Sequence, residues 1–313
     1  MIVVCGEALM DVFDAGATPG GNALDARIGG SPYNVALGLA RLGQPVAFCG
    51  AISTGFLGQR LMRSLADEGI DPVCVQRTAA PTSVCIVGLD AEGVPAYDFY
   101  GERGADRRLD AAQALAATPR NARAFQFGSY AMVIEPVAGA QRALIEREHA
   151  RGDAGALIAY DPNVRLVVEP DVTRWRETLQ WMLPRTHLLK ISDEDLGLLY
   201  PDLAPKAAAA QWLARGVRCV VVTRGAQGAL AFCGNARAAA THVKVQVIDT
   251  VGAGDTFQAA LLTWLAEHER LSIGGVGTLD ATALGAMLGF ATRAAAITCS
   301  RRGADLPRRT ELA

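Results

Sequence analysis

Short β-branched runs alternate with longer stretches of helical spacing along most of this chain. Ile2 to Val4, Val46 to Cys49, Ala124 to Phe127, Ala156 to Tyr160, His187 to Ile191 and Cys219 to Thr223 are apolar at nearly every position. That pattern predicts strands covered on both faces, as in a parallel sheet. Helical spacing predicts helices over Asn34 to Leu42, Gly58 to Glu68, Pro136 to Arg151, Thr173 to Leu183, Asp193 to Tyr200, Lys206 to Arg215, Ala253 to His268 and Ala281 to Ala296. The alternation argues for an α/β fold with a mainly parallel sheet between two helical layers, as a single domain over 1–313. The rhythm breaks at 15–30 and 73–106, where glycines, prolines and alternating strand patterns occur with no convincing helix between them. Two such insertions predict a small antiparallel sheet, a β lid over one end of the core.

The most informative stretch lies near the C-terminus. His242 to Ile248 alternates and predicts a strand; Asp249-Thr250-Val251-Gly252-Ala253-Gly254-Asp255 then opens a strongly apolar segment, Thr256 to Leu265. A strand, a tight glycine loop and a helix start leave backbone N–H groups without internal partners, aimed at a point where the helix dipole also favours negative charge. The amides of Gly252, Ala253 and Gly254 therefore make a candidate anion hole. Asp255 stands beside it as an acceptor for the proton of a hydroxyl attacking a phosphoryl group, which points to sugar or nucleoside kinase chemistry. Capping and turning a βα connection is the alternative role for these residues. The helix that follows is apolar on nearly every face, so it is expected to be buried with its N-terminus at a central site.

Composition agrees. Half of the 313 residues are apolar, enough for a large core, and the formal charge of −2 gives no reason to expect nucleic acid or an anionic membrane as partner. The N-terminus has no basic leader pattern, and no apolar run is expected to reach membrane-span length. The seven cysteines form no Cys-x-x-Cys pair and no zinc spacing, which predicts reduced, buried thiols and a cytoplasmic protein.

Two motifs give a family resemblance. Asp249 through Leu262 resembles the second signature of the PfkB (ribokinase-like) carbohydrate kinases at every constrained position. Gly29-Gly30-Ser31-Pro32-Tyr33-Asn34-Val35-Ala36, followed by Gly43, resembles the first signature, whose last glycine is Ser53 here. Asp161-Pro162-Asn163-Val164-Arg165 and Phe127-Gly128-Ser129 resemble segments of the fructokinase-like branch. The resemblance spans almost the whole chain. It implies a three-layer α/β/α ribokinase-like core with a small β lid, and transfer of phosphate from ATP to a sugar. A lid has a chemical reason, since transfer to a sugar hydroxyl rather than water requires a site that excludes water.

For the sugar, Asp11 offers a charged acceptor for two hydroxyls, Gly29 and Gly30 allow close backbone approach, and Asn34 offers both a donor and an acceptor. Turn and cap roles are the alternative for Asp11 and Asn34. The resemblance places Arg165 near the phosphates and Lys190 at the nucleotide or phosphate, as phosphoryl transfer needs cationic groups. The family's Asn-x-x-Glu, which positions magnesium through water, is matched by Ser192-Asp193-Glu194-Asp195, leaving Asp195 for that role. Thr223, Gly225 and Gly228 resemble the family's strand and glycine turn beneath the nucleotide. The resemblance also implies that Thr292 and Ala295 lie on an adenine-pocket helix and Gly303 on the loop that closes the pocket. Many relatives also bind potassium through backbone carbonyls, here those of Asp249, Val251 and 300–303.

One departure bears on the substrate. Fructokinase and 2-keto-3-deoxygluconate kinase branches often carry an arginine where this chain has Gly101. Arg103 is the candidate to replace it from the lid. Without that arginine a sugar acid loses a bidentate partner, which favours a neutral ketose. The expected activity is therefore an ATP-dependent fructokinase, with 2-keto-3-deoxygluconate kinase as the alternative inside the fold and a non-catalytic nucleotide-binding homologue outside that activity. No Walker A motif supports a P-loop kinase, and no Gly-x-Gly-x-x-Gly follows the first strand as a dinucleotide-binding dehydrogenase requires. Exposed lid edges predict a homodimer through the lid.

Overall fold

In the computed structural model, which describes residues 1–89 and 95–312, the chain forms one nine-stranded sheet and one four-stranded sheet. The strands, in chain order, are β1 Ile2–Cys5, β2 Leu9–Thr18, β3 Gly21–Gly29, β4 Val46–Ser53, β5 Val75–Thr78, β6 Val84–Leu89, β7 Pro95–Tyr100, β8 Ala124–Gly128, β9 Leu157–Asp161, β10 Leu188–Ser192, β11 Cys219–Thr223, β12 Ala229–Cys233 and β13 Ala236–Ala240. The helices are α1 Ser31–Arg41, α2 Phe56–Asp67, α3 Ala111–Ala117, α4 Val137–His149, α5 Val172–Met182, α6 Asp193–Leu199, α7 Pro205–Ala214, α8 Ala253–Glu267, α9 Ile273–Gly277 and α10 Ala281–Cys299.

The large sheet runs β13-β12-β11-β10-β9-β8-β1-β4-β5 and is parallel from β11 to β5, with an antiparallel edge at β12 and β13. Period-two alternation divides each central strand between two cores. Ile2 and Val4 pack with α1, α8 and α10, whereas Val3 and Cys5 pack with α4, α5 and α7. Helices thus cover both faces. All residues of α8 from Asp255 to Leu265 are buried, as expected of a helix apolar on nearly every face. Truncating a leucine there, such as Leu261 or Leu262, removes about 2–5 kcal/mol of packing.

Each predicted core strand and helix is found, with ends shifted by a few residues. Three expectations are corrected. His242 to Ile248 forms no strand: Val243, Val245, Val247 and Ile248 are exposed, so alternation here reports no buried face, and β13 takes the sheet edge instead. The helix Ala281–Cys299 is long and apolar enough to cross a membrane by length and composition, contrary to the expectation that no run is. Its Leu284, Met287, Leu288, Phe290, Ala291 and Ala294 lie in the core against α8 and the sheet, which accounts for its apolarity. Finally, Val75–Thr78, inside the 73–106 insertion, pairs in parallel with β4 at the edge of the large sheet.

The small sheet has the order β3-β2-β6-β7, two hairpins joined by the parallel pair β2 and β6. It begins at Leu9, earlier than the break at residue 15, because β2 continues directly from the core through Gly6, Glu7 and Ala8. Residues 90–94, within the second insertion, lie outside the described residues.

Candidate functional site

In open parallel sheets, ligands bind beyond the carboxyl ends of the strands where the strand order reverses. Here β1 is the reversal point, with β4 on one side and β8 on the other. Glu7 follows β1, Ser129 follows β8, Asp161 ends β9, Ser192 ends β10 and Thr223 ends β11. The starts of α1 and α8 open on the same end.

Gly252 precedes α8 with φ 77°, the left-handed conformation that glycine adopts without strain, and a Cβ there would meet Ala304 Cβ at 2.7 Å. No side chain caps the helix, so its first amides are open to a ligand. The Ala253 amide is an exception, donating to the Thr250 carbonyl at 3.2 Å, so it closes the turn. Asp255 is 9% exposed. Its Oδ1 accepts from the Ser31 hydroxyl at 2.6 Å and its Oδ2 from the Asn34 amide at 2.9 Å. Burial raises its pKa above the ordinary carboxylate value, while Ser31, Asn34, Lys190 and Arg165 oppose that rise. Both hydrogen bonds favour the ionised form of the acid.

The two helices meet closely because α1 has Gly38 at the contact, where a Cβ would lie 2.8 Å from Ala259 Cβ of α8. Sequence reasoning assigned Asn34 to the sugar; in the ligand-free chain its amide instead holds Asp255. Ser31 was missed, although Ser31 and Asn34 at i and i+3 share one helix face.

On the phosphate side, Lys190 is 4% exposed and bonds Asp161 Oδ2 at 2.7 Å. Burial works against its charge, yet Asp161, with Asp255 and Asp195 beyond it, holds its pKa above the usual lysine value. A Cβ on Gly254 would lie 3.2 Å from Lys190 Nζ, so the ammonium sits directly under the glycine loop. Asp195 accepts from the Val164 amide at 3.2 Å, and burial beside Asp161 pushes its pKa to about 6 against Lys190 and Arg165. Ser192 caps α6 through the Asp195 amide at 3.0 Å. Asp161 Oδ1 and Asn163 Nδ2 are buried without a partner.

Asp11 lies on β2 opposite Arg27 of β3 and Cys85 of β6. Burial raises its pKa to about 6, Arg165 lowers it and Asp255 raises it further. A Cβ at Gly29 would strike the Asp11 carboxylate, and one at Gly30, where φ is 104°, would lie 2.7 Å from the Glu7 carbonyl. Arg165 is exposed, and its charge acts on Asp11, Asp255, Asp195 and Glu7 together. Arg103 is exposed in the loop after β7; Arg165 acts on Asp11, and Lys190 and Arg165 act on Asp255. The Phe99 ring occupies the space where a side chain at Gly101 would begin.

Toward the nucleotide side, Gly225 and Gly228 have φ 47° and 81°, and a Cβ at Gly228 would strike the Ala240 carbonyl. Thr292 is turned inward, donating to the Leu288 carbonyl at 2.7 Å, and Ala295 lies one helical turn on, half-buried. Asp249 ties two segments together: its Oδ1 accepts from the Val251 amide at 3.0 Å and its Oδ2 from the Gly303 amide at 2.8 Å. This brings the carbonyl-bearing residues 249–251 and 300–303 side by side.

A cluster not anticipated from the sequence joins the lid to the core. Glu7 and Asp106 are both 1% exposed. Asp106 accepts from Ser83, at the foot of β6, and from Tyr130 at 3.0 Å. Burial pushes Glu7 up to about 8, with Ser129 bonded to it and Asp106 adding repulsion. The only sequence signal was a pair of acids beside apolar strand ends.

A family profile described as pfkB family carbohydrate kinase matches residues 1–311. The chain belongs to that family. Among pfkB relatives, it is 33% identical to a fructokinase of Rhizobium leguminosarum bv. trifolii over 91% of this chain and 85% of the relative. It is 31% identical to fructokinase-1 of Oryza sativa subsp. japonica, over 91% and 86%. The crystal structure of a Xylella fastidiosa fructokinase with bound ATP superposes with a TM-score of 0.89 at 28% identity, covering 99% of this chain and 96% of that one. The pfkB fold, with its parallel core and separate small sheet, is thus the ribokinase-like architecture expected from the motifs.

Proposed function

We propose that this pfkB protein is a fructokinase that converts D-fructose and ATP to fructose 6-phosphate and ADP. The observation that carries the reading is Asp255, held on both oxygens by α1 at the uncapped start of α8. A sugar hydroxyl placed between Asp255 and the glycine loop gives up its proton to the carboxylate as its oxygen bonds to phosphorus. The Gly252 and Gly254 amides and the Lys190 ammonium beneath them stabilise charge on the transferred group, and Arg165 contributes from the exposed side. Asp11, with the backbone at Gly29 and Gly30, orients the sugar.

Magnesium fits the donor set. Asp161 has a buried, unpartnered oxygen and Asp195 lies beside it, the hard-oxygen environment that holds this ion through water and phosphate. When bound, it would neutralise phosphate charge. Carbonyls of Asp249, Val251 and 300–303 are the candidate ligands for potassium, stiffening the same loop. The nucleotide lies over Thr223, Gly225, Gly228, Thr292, Ala295 and Gly303. Leu24, Tyr97 and Tyr100 are exposed on the lid, which supports pairing of two lids in a homodimer. The free cysteines fit a cytoplasmic enzyme.

Phe99 over Gly101 supports a neutral ketose over a sugar acid, because it fills the space an arginine side chain would need. A coupled assay over fructose, ribose, tagatose, 2-keto-3-deoxygluconate and adenosine tests the reading. Fructose is expected to give the highest kcat/KM. A tenfold preference for the sugar acid would overturn the choice of sugar, and sugar-independent or absent ATP turnover would overturn the kinase.

A further inference from the structure

The two ends of the site are joined by one lid side chain that the reaction itself does not call upon. Arg27 of β3 is the register partner of Asp11, so both project from the same face of the lid. Its Nε bonds Asp25 Oδ2 at 2.8 Å, which fixes the guanidinium, and the Phe13 ring lies beneath it at 5.8 Å. Its Nη1 then donates to the Arg302 carbonyl at 3.0 Å, across to the C-terminal loop. Gly303 follows with φ 72°, and a Cβ there would lie 2.6 Å from Arg27 Nη1. The loop has room for the guanidinium because this residue is glycine. The Gly303 amide in turn bonds Asp249, whose other oxygen holds the Val251 amide just before Gly252. A continuous set of hydrogen bonds thus runs from beside Asp11 to the residue before the glycine loop.

We propose that Arg27 is a positioning residue that couples the lid to the nucleotide end of the site, so that sugar and nucleotide each favour the other's binding. The inference rests on the kinase reading above. A sugar that draws Asp11 inward also sets β3, and with it the Arg302 carbonyl, the Gly303 turn and the Asp249 anchor of the anion loop. A nucleotide that orders the same loop holds Arg27, and through β3 the lid, in the sugar-binding position. Such coupling is reciprocal by thermodynamic necessity and requires each ligand to prefer the latched arrangement. Arg27 touches neither reacting group. Its loss removes communication and leaves the separate subsites intact.

The test is calorimetric titration of a non-hydrolysable ATP analogue with and without saturating sugar, on wild type, Arg27→Ala and Asp25→Asn. The sugar is fructose, or whichever sugar the wild type phosphorylates in the assay above, so a wrong substrate is detected separately from a wrong latch. In the wild type the sugar should tighten nucleotide binding by roughly fivefold or more. In Arg27→Ala that factor should fall to within about twofold of unity, with sugar-free nucleotide affinity also within about twofold of wild type. Asp25→Asn, which only frees the guanidinium, should fall between. An unchanged factor in Arg27→Ala, no coupling in the wild type, or equal weakening with and without sugar would each overturn the proposal; the last would make Arg27 a nucleotide ligand. Hydrogen exchange on the ligand-free chain gives a readout that needs no substrate. Exchange over 299–304 should speed up in Arg27→Ala while the interior of α8 stays protected, and an unchanged rate in that loop would also count against the latch.

Discussion

The large sheet and the lid sheet are built from similar residues under opposite constraints. In the large sheet, β1, β4, β8 and β9 are buried at every position, and polar side chains there pair with others from the core: Asp161 with Lys190 of β10 at 2.7 Å, Gln126 with Gln258 of α8 at 2.6 Å. In the lid, β2 is buried at Leu9 and Met10 and exposed from Asp14 onward. Its inner face carries Asp11 and Arg27 toward the site. The core can therefore hold a base in one fixed arrangement, whereas the lid offers recognition that is completed by a ligand. Chemistry should reside in the first and selectivity in the second.

The largest expected effect tests the core half of that division. Asp255→Asn keeps shape and hydrogen-bonding reach but removes the proton acceptor, so kcat should fall by roughly a hundredfold or more while both ligands still bind. The thermal midpoint should stay close to that of wild type. Near-normal turnover would return Asp255 to a capping role.

Asp11→Ala is the matching experiment in the lid. Loss of a charged hydrogen-bonding partner should raise KM for the sugar by about tenfold or more with little change in kcat. A collapse of kcat as large as that of Asp255→Asn would erase the distinction between the two sheets. The same residue sets a pH dependence. Its carboxyl titrates at about 6, so kcat/KM should decline as pH falls through that value and the acceptor is protonated. Asp195 titrates at about 6 as well, so the comparison that isolates Asp11 is the pH profile of Asp11→Asn, which lacks its share of the acid limb.

The smallest effect sharpens the boundary where lid and core join. The Glu7 carboxyl is pushed from 4.5 to about 8, so between those values the folded chain holds a proton that the unfolded chain releases. Stability from this group therefore falls as pH rises through the window. Glu7→Gln cannot ionise. It should match wild type near pH 5 and exceed it near pH 9, by a few degrees in the thermal midpoint. Equal midpoints at both pH values would mean that Glu7 finds a compensating cation. Asp11 and Asp195 titrate in both proteins and cancel from the comparison.

Much of this was legible in the sequence, for reasons that also explain what was not. Continuous apolar runs such as Val46 to Cys49 identified the buried strands because burial on both faces leaves no polar position. The glycine loop was legible because Gly252 needs a left-handed backbone that other residues resist. Asp255 was found through its place at a helix start. Its partners were harder: Ser31 and Asn34 stand more than two hundred residues away, and only the close approach allowed by Gly38 brings them to it. The Glu7 and Asp106 cluster has only a weak local signal, since two isolated acids beside strands look like solvated ones until the fold buries them. His242 to Ile248 misled for the converse reason, an alternating pattern without a covered face.

The ion pair between Asp161 and Lys190 constrains how this protein can change over generations. Removing either partner alone strands a buried charge at a cost of about 3–5 kcal/mol, a large share of the roughly 5–15 kcal/mol that holds an ordinary domain together. Replacing both by apolar residues is far less costly for the fold but strips the positive charge from beneath the glycine loop. Single-step drift at either position is therefore blocked by stability, and paired loss by activity. Among diverged members of the family, intact pairs should mark chains still under selection for phosphoryl transfer, and joint loss should mark those released from it.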